Sequence, residues 1–316
     1  WSLEADELAL AAFAKAAGEI WPEFAARVER VGGGGMELSV AGALVVARTA
    51  AELEWLADMA AACQARDLPV RRLSAVELKR EEPALTGKVT GGALLPEDRQ
   101  VDPQKLLVRL AAVLGAPGVG IRRGRAVERG TVGSGFQMPD GDKFERVVLA
   151  TGAGLQPRFV SWQGDKLDTG LPEIVPVKGQ MLALAPVAAA PRHVIHTRDV
   201  YIAPKSRWIL VGATVERGSA DTSVDAGQIA KLKAAAIALA GGLANAPEVT
   251  AWAGVRPGTP DDAPLMGETD IPGVFAAMGH YRNGILLAPL TGEAVADAVL
   301  DGKVSGLAKP FSPSRF

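Results

Sequence analysis

Apolar residues recur at helical spacing in several stretches of the chain. The first stretch lies within residues 4–29, and Gly32 ends its pattern. This spacing gives a helix one apolar face, so a helix is predicted there. Further helices are predicted over residues 50–65, 102–114 and 228–243, together with a short helix that Ser74 and Glu77 begin as a capping box.

Short runs of β-branched and other apolar residues separate these helices and predict strands. Residues 36–40 and 43–47 predict a hairpin, and residues 91–95 predict a further strand. Residues 119–150 alternate short apolar runs with glycine-rich turns, and residues 176–216 are rich in strand signals. This mixture predicts an α/β (mixed α+β) fold, and a length of 316 residues predicts two domains.

Three stretches carry polar residues where chemistry is expected. Residues 145–154 (ERVVLATGAG) predict a buried strand that turns at its C-terminal end, which is where cofactors lie in open α/β sheets. Residues 278–293 (MGHYRNGILLAPLTGE) predict a polar loop that leads into a buried helix, with Arg282 at its start. The N–H groups of such a helix start favour an electron-rich group. Arg256 precedes Pro257 in a third, proline-rich stretch, and a stiff loop holds an arginine ready for a carboxylate.

Together these stretches resemble the FAD-dependent amine oxidase family, which includes D-amino acid oxidase, sarcosine oxidase and glycine oxidase. The resemblance covers most of residues 90–300, and its motifs are most similar to glycine oxidase of the thiamine pathway. It implies an FAD-binding, Rossmann-like domain interleaved with a smaller substrate domain built on an antiparallel sheet. Residues 1–30, 92–170 and 251–316 are assigned to the first domain, and residues 31–91 and 171–250 to the second.

The resemblance also implies roles for individual residues. Arg256 and Tyr201 match the groups that hold the substrate carboxylate, and Arg282 matches a second arginine beside flavin and substrate. Residues that match the flavin-contacting turns are Thr151, Gly152, Ala153, Gly279, His280, Arg282, Asn283, Gly284, Ile285 and Leu286.

Each of these roles has a structural alternative. Tyr201 in a strand is by default a half-buried aromatic residue, and Arg256 by default pairs with Asp261 or Asp262. His280 is expected to be a ring packed beside its loop rather than a base.

Asp199, near Tyr201, is an alternative contact for the substrate amine. Lys178 and Gln180 are expected to flank a turn near the flavin.

One family feature is missing. Relatives open with a strand, a G-x-G-x-x-G turn and a helix that bind the adenosine half of FAD, and this sequence has no such opening. We expect that roughly 50–60 residues precede Trp1 in the intact protein, as a βαβ unit requires. The chain as given is therefore expected to be insoluble or free of flavin when expressed alone. The alternative is a relative that lost the motif.

Composition bears on the binding partners, the metal content and the cellular compartment of the protein. A net charge of −2 gives no indication of a nucleic-acid or membrane-surface partner, and three scattered histidines with one cysteine offer no metal-ligand spacing. Cys63 has no partner for an internal disulfide, which favours a reducing cytoplasm. Some members of the family that the chain resembles tether the flavin to a cysteine near the C-terminal loop. Because no cysteine lies there in this sequence, non-covalent FAD is expected. The sequence leaves the oligomeric state open, a homo-oligomer included.

The resemblance implies oxidation of glycine or another small amino acid by hydride transfer to FAD, with O₂ as the final acceptor. One alternative is a D-amino acid dehydrogenase that uses a different acceptor. Another is a catalytically dead, cofactor-free fragment or accessory subunit.

Overall fold

The computed structural model describes residues 8–115, 118–302, 304 and 306–316. The α-helices are α1 (Leu8–Gly32), α2 (Ala50–Gln64), α3 (Ala75–Glu81), α4 (Pro103–Leu114), α5 (Ala226–Leu239) and α6 (Gly284–Asp301). The strands are β1 (Ala43–Ala47), β2 (Arg71–Ser74), β3 (Gly91–Leu95), β4 (Arg129–Val132), β5 (Phe136–Gln137), β6 (Lys143–Phe144), β7 (Val147–Leu149), β8 (Arg158–Ser161), β9 (Lys166–Leu167), β10 (Val175–Leu184), β11 (Val194–His196), β12 (Tyr201–Pro204), β13 (Ile209–Gly212), β14 (Glu216–Arg217), β15 (Glu248–Gly258), β16 (Leu265–Glu268) and β17 (Val274–Met278). Short 3₁₀ helices cover Gly241–Asn245, Lys309–Phe311 and Pro313–Arg315.

The chain divides into two compact units. The first comprises residues 1–31, 111–177 and 256–316, and the second comprises residues 32–110 and 178–255. Residues 92–110 thus belong to the second unit, whereas the sequence assigned them to the cofactor domain. The reason is strand pairing, because β3 pairs with both β1 and β2.

The second unit is built on a large mixed sheet. Its strand order is β14-β10-β13-β12-β11-β1-β3-β2, with β15 paired to β10. All pairs of known register are antiparallel except β1 with β11. One face packs Leu44, Ile195 and Val211 against residues of α5 such as Leu232, and the other packs Val45 and Ala93 against α2.

The first unit contains two smaller sheets. One has the order β16-β17-β7, with β17 and β7 parallel, and the other has the order β6-β5-β4-β8-β9. Phe136 and Phe159 of the five-stranded sheet pack with Leu149 and Val274 of the three-stranded sheet. Helices α1 and α6 share a separate apolar cluster that includes Phe13 and Leu287.

Most predicted elements are confirmed. Helices α1, α2 and α4 and strand β3 lie within a few residues of their predicted bounds, and Ser74 and Glu77 form the predicted capping box. The α/β fold class is confirmed too, with helices beside mixed sheets. Among the described helices, none is both long and apolar enough to cross a membrane.

Two predicted elements are wrong in part. Residues 36–40 do not form a hairpin with β1, because β3 and β11 occupy both edges of β1. Ser39 instead makes a single bridge to Gln100. The helix predicted over residues 228–243 ends at Leu239, since Gly241 and Gly242 are poor helix formers and the Gly241 N–H donates to the Thr86 hydroxyl at 2.8 Å.

Candidate functional site

The loops that carry most of the candidate residues leave one edge of the three-stranded sheet. Strands β7 and β17 are parallel, with Leu149 opposite Ala276. The carboxyl ends of parallel neighbours lie at the same sheet edge. The turn at residues 150–154 and the loop at residues 279–283 therefore begin side by side.

Thr151 follows β7 and holds a polar atom without a partner. Its hydroxyl oxygen is buried, and no residue in the described part of the chain bonds to it. The Thr151 carbonyl accepts the N–H of Gly154 at 2.9 Å, which closes the turn. Gly152 lies in the left-handed region at φ +59°, with no atom within 4 Å of the position of an added Cβ, and Ala153 is exposed. A buried hydroxyl without a partner is costly, so a ligand that supplies one is favoured there.

Helix α6 begins at the same edge without a side-chain cap. Asn283 occupies the N-cap position and is buried, but its side chain makes no capping hydrogen bond. The N–H groups of Gly284, Ile285 and Leu286 have no intrahelical acceptor, as in the first turn of any α-helix. The Leu286 carbonyl has a partner, because it accepts the Trp21 indole N–H at 2.9 Å. The helix start thus offers N–H donors and a partial positive charge.

The loop before α6 is held against strand β15. The Tyr281 N–H donates to the Pro257 carbonyl at 2.9 Å. Arg256 precedes Pro257 and Arg282 follows Tyr281, so this bond brings the backbones of the two arginines close together. Gly279 allows the approach, because a Cβ at this position would lie 2.5 Å from the Thr259 methyl carbon. Arg256 is half-buried and Arg282 is exposed.

His280 is packed as predicted. Its Nε2 lies 3.0 Å from the Thr291 hydroxyl on α6. Burial lowers the pKa of His280 to about 4, so the ring is neutral at neutral pH. The ring thus joins the loop to α6, and its predicted contact with a flavin stays a prediction.

Asp261, one of the alternative partners of Arg256, has a different cation. The Arg315 guanidinium bonds to both Asp261 carboxylate oxygens, at 2.8 and 3.0 Å. Burial raises the pKa of Asp261, but hydrogen bonds from Arg315, the Ala263 N–H and Thr259 outweigh it and leave the pKa below its usual value. Arg315 thus fixes the loop that contains Asp261.

Tyr201 belongs to the second unit, on β12. It is half-buried, and its hydroxyl donates to the Met181 sulfur at 3.2 Å. The register places Tyr201 opposite Gly212 on β13 and His196 on β11. The sequence did not single out Met181 or Gly212, because their proximity to Tyr201 arises from strand pairing between distant segments.

One further expectation near Tyr201 stays a prediction, and another is wrong. The Asp199 carboxylate bonds to the Arg48 guanidinium at 2.7 Å, and its contact with a substrate amine stays a prediction. Lys178 and Gln180 do not flank a turn, since β10 runs unbroken from Val175 to Leu184. Lys178 bonds to Asp221, and Gln180 donates to Glu216 at 2.8 Å, so both residues anchor the segment before α5.

Comparison with known proteins identifies the family. The family model described as FAD dependent oxidoreductase matches residues 1–298. The chain belongs to this family. The bifunctional protein ThiO/ThiG of Nostoc sp. (strain PCC 7120) is 37% identical over 259 residues, which are 78% of this chain and 38% of that protein. Glycine oxidase of Geobacillus kaustophilus is 35% identical over 255 residues, covering 78% of this chain and 66% of the relative.

The fold leads to the same group of proteins. The crystal structure of glycine oxidase from Geobacillus kaustophilus matches with a TM-score of 0.89 and 31% identity, over 100% of this chain and 85% of that one. The chain therefore has the fold of a glycine oxidase, while it spans well under half of the bifunctional relatives it matches.

The residues at the sheet edge fit the cofactor of this family. A helix start without a side-chain cap would complement the electron-rich edge of a flavin ring, and the unpartnered Thr151 hydroxyl would offer a hydrogen bond at the same sheet edge. No group of three or more histidine, cysteine or acidic side chains suited to a metal ion occurs among the described residues.

Proposed function

We propose that this protein oxidises glycine or another small amino acid with non-covalently bound FAD and passes the electrons to O₂. The observation that carries the proposal is the pairing of two unsatisfied features at one sheet edge. These are the uncapped start of α6 and the buried Thr151 hydroxyl. Both favour a ligand with electron-rich polar atoms, and the family to which the chain belongs uses FAD.

The flavin side of the site is assigned to backbone groups. When bound, FAD supplies a two-electron oxidant that accepts a hydride from the substrate α-carbon. The N–H groups of Gly284, Ile285 and Leu286 would hold the electron-rich edge of the flavin ring, because they point along the helix axis and need no rearrangement. Gly279 and Asn283 shape the loop that presents them, and the 151–153 turn holds the cofactor from the neighbouring strand.

The substrate side is assigned to three side chains. Arg256 binds the substrate carboxylate, Tyr201 donates its hydroxyl to the same group, and Arg282 adds a second positive charge. Catalysis of this kind depends on positioning, since the substrate needs only a neutral amine and an α-C–H bond aimed at the flavin. The neutral His280 agrees with a site that uses no histidine base.

The overall reaction balances without a further reactant. Glycine, O₂ and water give glyoxylate, ammonia and hydrogen peroxide, because the imino acid released from the site is hydrolysed. The names of the ThiO/ThiG and glycine oxidase relatives support a small amino acid as substrate and a place in thiamine biosynthesis. The single buried thiol of Cys63 suits a reducing cytoplasm.

The test compares oxygen uptake with dye reduction in the intact protein after incubation with FAD. Glycine-dependent oxygen consumption that matches peroxide formation supports the proposal. Dye reduction without oxygen uptake would instead identify a dehydrogenase, and a colourless protein that binds no FAD would identify a cofactor-free fragment or accessory subunit.

A further inference from the structure

Tyr201 lies in a cross-strand row with a glycine and a methionine. Gly212 on β13 is opposite Tyr201 on one side and opposite Met181 of β10 on the other. Directly opposite residues project from the same face of a sheet. The row therefore places the Met181 thioether and the Tyr201 phenol on either side of a position without a side chain.

The space at residue 212 is filled by its neighbours. A Cβ there would lie 2.9 Å from both Cζ and the hydroxyl oxygen of Tyr201, and 3.0 Å from the Met181 methyl carbon. Contacts this short force a neighbour to move. Only glycine at this position lets the phenol reach across the row.

The hydrogen bond across the row is a weak one. The Tyr201 hydroxyl donates to the Met181 sulfur at 3.2 Å, and a thioether is a poor acceptor. A carboxylate is a much stronger acceptor, because hydrogen bonds to charged groups contribute roughly twice as much as neutral ones. A carboxylate that reaches the hydroxyl is therefore favoured over the Met181 sulfur as its acceptor.

We infer that Gly212 and Met181 are positioning residues for the Tyr201 hydroxyl. Gly212 gives the phenol its room, and the Met181 sulfur holds the hydroxyl until a substrate carboxylate replaces it. This inference rests on the proposed function for the identity of the substrate. It requires only a carboxylate at Tyr201, so it can be tested without turnover.

The binding experiment uses acetate, which has the carboxylate of glycine and no amine to oxidise. The chain has only two tyrosines, so ¹³C labelling of the tyrosine rings gives two signals, and Tyr201→Phe assigns them. We expect acetate to shift the Tyr201 signal. Gly212→Ala should weaken acetate binding and raise the KM for glycine about fivefold, which is the effect of losing one hydrogen bond.

The Tyr201→Phe background separates positioning from a general structural effect. There Gly212→Ala should change neither acetate affinity nor KM, since no hydroxyl remains to be displaced. Gly254→Ala is the matched control, because Gly254 lies on β15, which pairs with β10, and an added Cβ there meets nothing within 4 Å. Equal losses with and without the Tyr201 hydroxyl, or a loss in Gly254→Ala, would overturn the inference.

Two variants of Met181 test the role of its sulfur as hydrogen-bond acceptor. They remain informative even if Gly212→Ala does not fold. Met181→Gln places a stronger acceptor beside the phenol and should raise the KM about fivefold, again only when Tyr201 is present. Met181→Leu removes the acceptor and should change the KM only when Tyr201 is present. Unchanged kinetics in Met181→Gln would count against the inference. Normal acetate responses in a protein that oxidises no amino acid would support the positioning role and refute the proposed function.

Discussion

The environment of Thr151 indicates a ligand-binding position. Its buried hydroxyl has no partner in the described part of the chain, although buried hydroxyls are nearly always bonded. Replacement by valine keeps the shape and removes the unsatisfied group. We expect Thr151→Val to leave the stability of the FAD-free protein unchanged or raised, and to weaken FAD binding by about 1 kcal/mol.

Thermal unfolding without FAD and fluorescence titration with FAD measure the two effects separately. Thr151→Ser, which keeps the hydroxyl, serves as the control for affinity. A variant that lost stability without FAD and bound FAD normally would show that Thr151 has a structural role only.

Arg256 and Tyr201 are expected to differ in the size of their contributions. Loss of a charge-assisted bidentate contact costs roughly 2–4 kcal/mol, against about 1 kcal/mol for a hydroxyl. Arg256→Ala should therefore raise the KM for glycine far more than Tyr201→Phe, and Arg256→Lys should fall between them. Steady-state kinetics with glycine provide the measurement, and an unchanged KM in Arg256→Ala would remove this residue from the site.

His280 makes stability depend on pH. Its folded pKa of about 4 lies below the unfolded value of 6.5, so the unfolded chain takes up a proton first as the pH falls. The stabilising effect of a neutral ring is complete above pH 6.5 and is lost progressively toward pH 4, by up to about 3 kcal/mol. Urea unfolding at several pH values should show a shallower acid loss in His280→Gln. Identical slopes would mean that His280 titrates normally.

The junction between β17 and α6 depends on close contact with Thr259. Gly279 has φ +73°, and its missing Cβ leaves room for the Thr259 methyl group. We expect Gly279→Ala to destabilise the protein by about 1–3 kcal/mol through strain and steric overlap. Thr259→Ser removes the methyl group but keeps the hydroxyl that donates to the Ala263 carbonyl at 2.8 Å. In the Gly279→Ala background, Thr259→Ser should therefore restore the part of the unfolding free energy that steric overlap removes. The unfolding free energies of the two single variants and the double variant measure this effect. Additive losses would contradict this explanation.

Elements with local signals could be predicted from the sequence, and elements set by distant pairing could not. The capping box at Ser74 and the apolar face of α1 are encoded within one turn or one helix. The fate of residues 36–40 depends instead on β3 and β11, which come from remote parts of the chain. Met181 and Gly212 could not be predicted as neighbours of Tyr201 for the same reason, because distant strands bring them together. Residues 279–286 could be predicted as a loop that leads into a helix, because the loop and the helix start are contiguous in the sequence.

Across the whole molecule, the candidate residues are divided between the two compact units. Arg256, Arg282 and the loops at residues 151–153 and 279–286 belong to the first unit, and Tyr201 belongs to the second. The boundary near residue 92 was placed too early because the pairing of β3 with β1 has no signal within either strand.

Substrate size is the property that separates glycine oxidation from the oxidation of larger D-amino acids. A site shaped for glycine should favour glycine and sarcosine over D-alanine, and D-phenylalanine should be the poorest substrate. Comparison of kcat/KM for these four compounds provides the measurement. A preference for D-phenylalanine would move the protein to the D-amino acid branch of the family.

The most direct test of the proposed function is anaerobic mixing of the FAD-loaded protein with glycine, followed by admission of O₂. We predict that glycine bleaches the flavin absorbance, that O₂ restores it with formation of one hydrogen peroxide per glycine, and that Arg256→Ala suppresses bleaching at the same glycine concentration. A protein that binds FAD but is not bleached by glycine, sarcosine or any other small amino acid would contradict the proposed function.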